Sequence, residues 1–448
     1  MFSKSTYHLI LALFMLVSFS KCSKKNENTP PSPPPEKPKP IKLALIDHTN
    51  GETPFSDSIY LTFSKKIKVN YIKSNYQYCI TDDMGISYTS DSKGFKFKYS
   101  CAELGRTYPF EYSVTDEEGN TLTNKINIDF FTNRIQFDGF SVLNTILSPD
   151  NKHIWLTLTN IEDVNRFVSL STDSLKVEFD IPVPDASKDI SYNPYNGFIY
   201  ISSFYHPQIF VFDPIAKKLV KTITLNILPE DNETYPAIFP ADIRFTKNGF
   251  GIVNLNSEGS AGINWKIIDS TKEDTIYYGS EKDGTYASIG QACLINDSTQ
   301  IMGYSGYLRK IVVIDQVSRD IIKTFESPIP VTYTPYFKVS TKNNNVMVYG
   351  NGVAFMNTKS NAVHNHHNEG FFPWDFSYRS NEPNHIFGME NQHVILFNYL
   401  NGNKILSYPL GITPTFTYMT SDGKSLACAG IEGVYLFSEK MFTGGSDR

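Results

Sequence analysis

Residues 193–225 read NPYNGFIYISSFYHPQIFVFDPIAKKLVKTITL. The stretch holds a tight-turn signal, an apolar strand, a short gap, a second apolar strand ending on Asp213, and a last strand from Lys218. Both signals recur in phase along the chain. The turn signal recurs at Ser148, Thr246, Asn296, Thr341, Ser380 and Ser421, so the period is 39 to 53 residues. The second apolar strand follows each turn by about 20 residues, as FVSLST, IFVFDP, KIIDST, IVVIDQ, VAFMNT, VILFNY and VYLFSE. A period of this length marks a repeat architecture, in which one unit cannot bury its apolar faces without its neighbours. Seven units of four antiparallel strands predict a seven-bladed β-propeller over residues 133–448. The last unit ends soon after VYLFSE and is short of a fourth strand, so residues Asn133–Asp138 are expected to supply one and close the ring.

Composition agrees with an all-β reading. Aromatic residues make up 14% of the 448 residues, an excess that suits pleated, half-buried surfaces. Charged residues at 19% and hydrophobic residues at 40% exclude a disordered chain, and a formal charge of −5 excludes a basic nucleic-acid binder. Between Ile41 and Thr132 the runs IKLALI, SIYLTFS, YQYCIT, GISYTS, FKFKYS, YPFEYSV and KINIDFF predict seven short strands, enough for a small sandwich ahead of the propeller.

The N-terminus carries an address. Lys4 precedes an apolar run from Leu9 to Phe19. This run is too short to span a bilayer, which takes about 20 residues, and it reads as the apolar core of a signal peptide over residues 1–21. In residues 23–40 seven of eighteen positions are proline, which favours an extended polyproline spacer. Loss of residues 1–21 removes Lys4 and Lys21 and no acid, leaving a mature chain near −7. That charge disfavours electrostatic docking on anionic lipid.

Three resemblances accompany these readings. Ser20-Lys21-Cys22 after the apolar run resembles a bacterial lipoprotein signal. It implies a lipidated Cys22 as the mature N-terminus, a membrane partner through that lipid, and a place in the bacterial cell envelope, facing either the periplasm or the exterior. The segments IYLTFSKKI and YSVTDEEGNTLTNKINIDFFT resemble the first and last strands of bacterial immunoglobulin-like domains, which implies a spacer role for residues 41–132. The copy at 193–225 resembles the YVTN/YncE-type repeat of the quinoprotein-like superfamily, and the likeness extends over most of 137–442. The sequence has no C-x-x-C-H for heme attachment, and no cofactor is expected.

In a propeller, the loops entering the inner strands and those joining second to third strands share one face around a central channel. Aligning the repeats places Asn144, Asp189, Asp242, Ala292, Tyr336, Asp375 and Thr415 at one inner-strand position. Lys188, Pro335 and Trp374 precede it, and Tyr205, His206, Tyr307, Arg309, His393 and Glu432 fall on the loops across the mouth. Three converging acids repel one another at low dielectric. Two accounts are open: water, a cation or a hydroxyl-rich ligand satisfies them, or they accept hydrogen bonds from the backbone of adjacent blades. Aromatics beside carboxylates suit a glycan or a peptide, since ring faces stack on C–H patches while acids accept from donors.

The ligand-binding candidates are therefore Asp189, Asp242, Tyr336, Trp374, Asp375, Tyr205, His206, Tyr307, Arg309 and His393. The leading expectation is a membrane-anchored binding protein that holds a glycan or a partner protein. A polysaccharide-acting lyase or hydrolase is the alternative, with Asp242, Asp375, His206, Arg309 and Tyr307 converging in the mouth; a scaffold lipoprotein with an empty channel is the third. No G-x-S-x-G, P-loop or H-E-x-x-H occurs. His364, His366 and His367 lack an acid or cysteine at ligand spacing, so they read as an outer-strand or loop patch and no metal is expected. Cys79 and Cys101 either pair or stay as free thiols, while Cys293 and Cys428, with Trp155 and Trp265, are expected in the core.

Overall fold

Each predicted turn joins the first and second strands of a four-stranded antiparallel sheet in the computed structural model. The structure describes residues 40–443 apart from 49–58, 75–84, 226–237, 279–292, 327–335, 367–375 and shorter stretches. Cys22, the apolar leader, the proline-rich stretch to residue 39, Cys79 and Cys101 lie outside the described residues. Among those described, seven four-stranded sheets follow one another from Phe140 to Ser438, and the chain is a β-propeller. Blades 1 to 6 take their strands in chain order. Blade 2, for example, is built from Ser187–Tyr192, Ile199–Ser203, Gln208–Asp213 and Lys218–Thr224, from inner to outer.

The two repeating signals have identifiable causes. In blades 1, 2 and 7 the polar residue closing the inner strand folds the first turn back. Ser148 Oγ accepts from His153 N at 2.9 Å, Asn193 Oδ1 from Tyr195 N at 3.0 Å, and Thr420 Oγ1 from Ser425 N at 3.0 Å. In blades 2, 4 and 6 the Asp or Asn at the end of the third strand makes an Asx turn into the outer strand. Asp213 Oδ1 accepts from Ile215 N at 2.8 Å, Asp315 Oδ1 from Ser318 N at 2.8 Å, and Asn398 Oδ1 from Leu400 N at 3.0 Å.

Middle strands are apolar on both faces because each blade is sandwiched between two others. Ile199 and Ile201 pack with Trp155 and Phe167 of blade 1, whereas Tyr200 between them packs with Ile243 and Val253 of blade 3. Cys293 and Cys428 are buried free thiols in such inter-blade cores, and Trp155 is buried in the core between blades 1 and 2. Trp265 pairs with Asn254 in blade 3, and His364 and His366 lie on the outer strand of blade 5.

The ring closes where the sequence predicts. Strand β8 (Asn133–Gln136) adds antiparallel to Gly433–Ser438 as the outer strand of blade 7, pairing Val434 with Ile135 and Leu436 with Asn133. At Gly433 the two backbones meet so closely that a Cβ would lie 2.1 Å from the Ile135 carbonyl oxygen.

Ahead of the propeller, the described residues form seven strands in two sheets over one aromatic core. They are β1 (Leu45–His48), β2 (Ile59–Phe63), β3 (Ile67–Ser74), β4 (Ser87–Tyr88), β5 (Gly94–Phe97), β6 (Thr107–Asp116) and β7 (Thr121–Asp129). The sheet orders are β1-β2-β5-β4 and β3-β6-β7. Phe63, Phe95, Phe97, Phe110 and Tyr112 fill the space between them.

One strand differs from the sequence reading. IKVNYIKS (67–74) forms β3, while the run YQYCIT lies outside the described residues. A register shift between Val69 and Tyr71 interrupts the alternation of its apolar residues, which hides the strand from a period-two reading. The two sheets abut blades 6 and 7: Leu104 N donates to Pro409 O at 2.9 Å, Gly411 N to Leu104 O at 2.8 Å, and Phe131 joins the core around Tyr435 and Phe437.

Two predictions follow from these contacts. Gly433→Ala forces a Cβ against backbone that cannot yield and should lower stability by roughly 2 kcal/mol or more in urea denaturation, with the loss appearing as premature opening of blade 7 in hydrogen exchange. Asp116, which accepts from Asn120 Nδ2 and N, at 2.9 and 2.8 Å, and from Lys65, is pulled down to about 2 chiefly by the Asn120 side chain. Its contribution is complete above the ordinary value of 3.8 and is lost as pH falls through about 2. A melting series from pH 5 to about 2 should show an acid limb that Asp116→Asn flattens.

Candidate binding face of the propeller

Asp189 and Asp242 lie on the inner strands of blades 2 and 3, Ser187–Tyr192 and Ile238–Phe245, as the repeat alignment requires. They do not face each other unsatisfied. Arg244, two residues beyond Asp242 and therefore on the same side of its strand, reaches between them. Its Nη1 lies 2.6 Å from Asp189 Oδ2 and its Nη2 2.7 Å from Asp242 Oδ1. Asp189 Oδ2 also accepts from Ile243 N of the next blade at 2.8 Å, and Asp242 Oδ2 accepts from Asn254 at 3.4 Å. Of the two accounts open from sequence, hydrogen bonding to the adjacent blade describes Asp189, with the chain's own guanidinium as the cation. Burial lowers the Arg244 pKa, but Asp189 and then Asp242 outweigh it, so the net direction is upward and the charge is fixed.

The same belt of side chains runs round the hub through four blades. Tyr418 of blade 7 donates its hydroxyl to Thr145 O of blade 1, and Thr145 Oγ1 donates back at 3.1 Å. Asn144 of blade 1 donates to Ser187 Oγ of blade 2 at 3.1 Å, and Ser187 is also bonded to Thr157. Asp189 then carries the chain to Ile243 and Arg244 of blade 3. Burial raises the Tyr418 phenol and the Cys293 thiol well above their ordinary values, so both stay neutral and serve as hydrogen-bonding or packing groups.

Above this belt, the mouth between blades 2 and 3 carries an aromatic and cationic cluster. Lys188 Nζ stands 5.0 Å from the ring centre of Phe204 and 5.8 Å from that of Phe239, and those two rings stack at 5.5 Å. Tyr205, 56% exposed, sits edge-on to Phe204. His206 Nδ1 lies 2.9 Å from Asp185 Oδ2, and Ser203 Oγ also donates to that carboxylate while accepting from His206 N at 2.8 Å. The loop thus holds its tip rigidly and leaves one phenol ring and one imidazole facing solvent.

The remaining sequence-derived candidates are less gathered. Arg309 is exposed, in a left-handed conformation with φ 53°, just before the third strand of blade 4. Tyr336 begins the inner strand of blade 5, and His393 begins the third strand of blade 6, partly exposed. Tyr307, Trp374 and Asp375 lie outside the described residues. Sequence reasoning missed Arg244 and Asp185. The first was legible as Asp242-x-Arg244 on one strand face; the second had no sequence signal, since it meets His206 only through the loop fold. Among the described residues no group of three or more His, Cys, Asp or Glu is gathered so as to hold a metal ion.

Removing the guanidinium should expose the repulsion it cancels. Arg244→Met is expected to cost about 2 kcal/mol in urea denaturation, below the figure for a fully buried pair because Arg244 is 33% exposed. Adding Asp189→Asn and Asp242→Asn to Arg244→Met should return part of that loss, as urea denaturation of the triple variant beside the single one would measure.

No protein family matches the chain, and no curated protein does. Among solved structures, the crystallised WD40 repeats of RRP9 superpose with a TM-score of 0.50 at 10% identity, covering 68% of this chain and 96% of that one. A hydrazine synthase of Kuenenia stuttgartiensis gives a TM-score of 0.49 at 12% identity, covering 68% and 97%. At this identity the first likeness speaks to fold alone: the chain is built as a β-propeller, like those repeats.

Proposed function

We propose that the protein is a lipid-anchored extracytoplasmic binding protein of the bacterial cell envelope. In this reading Cys22 carries the lipid, the proline-rich stretch and an immunoglobulin-like domain act as spacer, and the propeller face holds a ligand, either a glycan or a partner protein. The strand orders β1-β2-β5-β4 and β3-β6-β7 support the immunoglobulin-like assignment, because they are those of the constant-type sandwich. The repeat signature at 193–225 supports kinship with YVTN/YncE-type propellers, which leaves the function open.

The observation that carries the binding reading is the mouth between blades 2 and 3. There Lys188 lies over a stacked pair of aromatic rings, and Tyr205 and His206 project on a pinned loop. Aromatic surface with few, oriented polar groups is what a recognition site needs. Binding is favoured over acid–base catalysis because the Asp189 and Asp242 carboxylates are both engaged by Arg244 as braces of the channel wall.

Two experiments test it. Full-length protein expressed in a lipoprotein-processing bacterium should incorporate labelled palmitate and partition with membranes, and Cys22→Ser should abolish both; retention of label on the variant would refute the anchor. A Tyr205→Ala, His206→Ala double variant, which touches no core residue, should bind at least about 10-fold more weakly to whichever glycan or envelope protein the wild type holds. Unchanged affinity would remove the mouth from the binding reading.

A further inference from the structure

A second concavity lies on the opposite face, among the turns that join first to second and third to fourth strands. Blades 1 and 2 part there around a cleft of about 530 Å³, within the usual range for small-molecule sites. Trp155, Phe179 and Tyr192 line it, and Pro214 and the 89% exposed Ile215 form its lip. His153, Trp155 and Tyr192 are ranked in a row: the first two rings are parallel within 4° at 6.3 Å, the next pair within 30° at 5.7 Å.

Polar groups converge on the same space. Glu178 Oε2 lies 2.6 Å from His153 Nδ1 and accepts from Ser169 Oγ at 2.8 Å. Asp150 Oδ1 accepts from Ser148 Oγ at 2.6 Å and from Lys152 N at 3.1 Å, which directs Oδ2 toward His153 Nε2, 4.0 Å away. Lys217 reaches across from blade 2 and donates Nζ to the Glu178 carbonyl at 3.4 Å. Glu178 Oε2 and Asp150 Oδ1 are thus held by the chain, which fixes both carboxylates at the cleft with their side chains 32% and 53% exposed.

The balance of charge selects the ligand class. The carboxylates of Glu178 and Asp150 oppose an anion, and the Lys217 ammonium at the same cleft opposes a strong cation. A neutral molecule with several hydroxyl donors and an apolar C–H face is matched, by acceptors at Glu178 and Asp150 and by the aromatic wall. We infer that the cleft between blades 1 and 2 is a saccharide-binding site, separate from the mouth between blades 2 and 3. The imidazole of His153, held by Glu178, both orders the carboxylate and extends the aromatic wall.

Purified full-length protein in detergent, titrated with maltose, cellobiose, lactose and N,N′-diacetylchitobiose, provides the test. Binding is read by tryptophan fluorescence, to which Trp155 is one of three contributors, and by saturation-transfer NMR. At least one sugar should bind in the millimolar range or tighter. Glu178→Gln keeps the shape but weakens the acceptor, and should raise that Kd about 10-fold. Ile215→Arg, at the exposed lip and remote from any core, should also weaken it without changing the melting curve. Absence of binding by all four sugars overturns the assignment, as does tighter binding of tetramethylammonium or glucuronate than of any neutral sugar. Sensitivity to Tyr205→Ala with indifference to Glu178→Gln would also overturn it, and would assign the sugar to the mouth instead.

Discussion

The four-residue strand β8 carries a disproportionate share of this architecture. Six blades complete themselves from consecutive sequence, but the seventh has three strands of its own and an outer edge that would otherwise expose its backbone groups. Residues 133–136 cover that edge, and in doing so tie a point near the start of the propeller to its end. Every inter-blade core depends on both neighbours being present. An open ring would leave the apolar faces around Val142 and Leu156 of blade 1 and those around Ala427 and Leu436 of blade 7 without each other. The approach at Gly433, where only hydrogen fits beside the Ile135 carbonyl, marks how tightly the seam is drawn. Because Thr132 N also donates to Leu436 O at 2.8 Å and Phe131 packs against Tyr435, the seam anchors the preceding two-sheet unit as well.

Within the ring, the hub is organised around charge. Acids at the inner-strand position of successive blades would repel one another, and a propeller has two general remedies: an external ligand or an internal cation. Here blade 3 brings its own. Arg244 meets Asp189 and Asp242 together, and a backbone amide of the next blade completes Asp189. The result is a braced channel wall with a residual negative charge. The mouth, with Lys188 over its aromatic rings, and the cleft between blades 1 and 2 are where groups remain available to other molecules. Two faces of one wheel thus carry different chemistry, set by different loops on the same strands.

The residues show why some of this was readable beforehand and some was not. Repeat number, turn positions and the closing strand were legible because each rests on local chemistry: a Ser, Thr or Asn that folds a turn, an Asp or Asn that caps the next, and a period-two apolar run between them. Strand β3 escaped because a bulge near Asn70 breaks its alternation. Asp189 and Asp242 can be aligned at one inner-strand position from the repeats, but Arg244 as their shared partner cannot be read there, since a salt bridge across blades depends on how two inner strands lie side by side. The cleft was not legible at all, as Glu178 and His153 are 25 residues apart and Tyr192 belongs to another blade.

Amino-acid order alone determined that this chain is all-β, where its units begin and end, and that its last unit would borrow a strand from before the first. Those properties follow from hydrogen bonds and apolar periodicities reaching only a few residues, or from a missing strand that counting reveals. Tertiary structure alone decided which acids are neutralised, which aromatic rings stay open to solvent and where concave space remains between blades. Such features arise from distances between residues far apart in sequence, and these are set only when the seven sheets pack around their common axis.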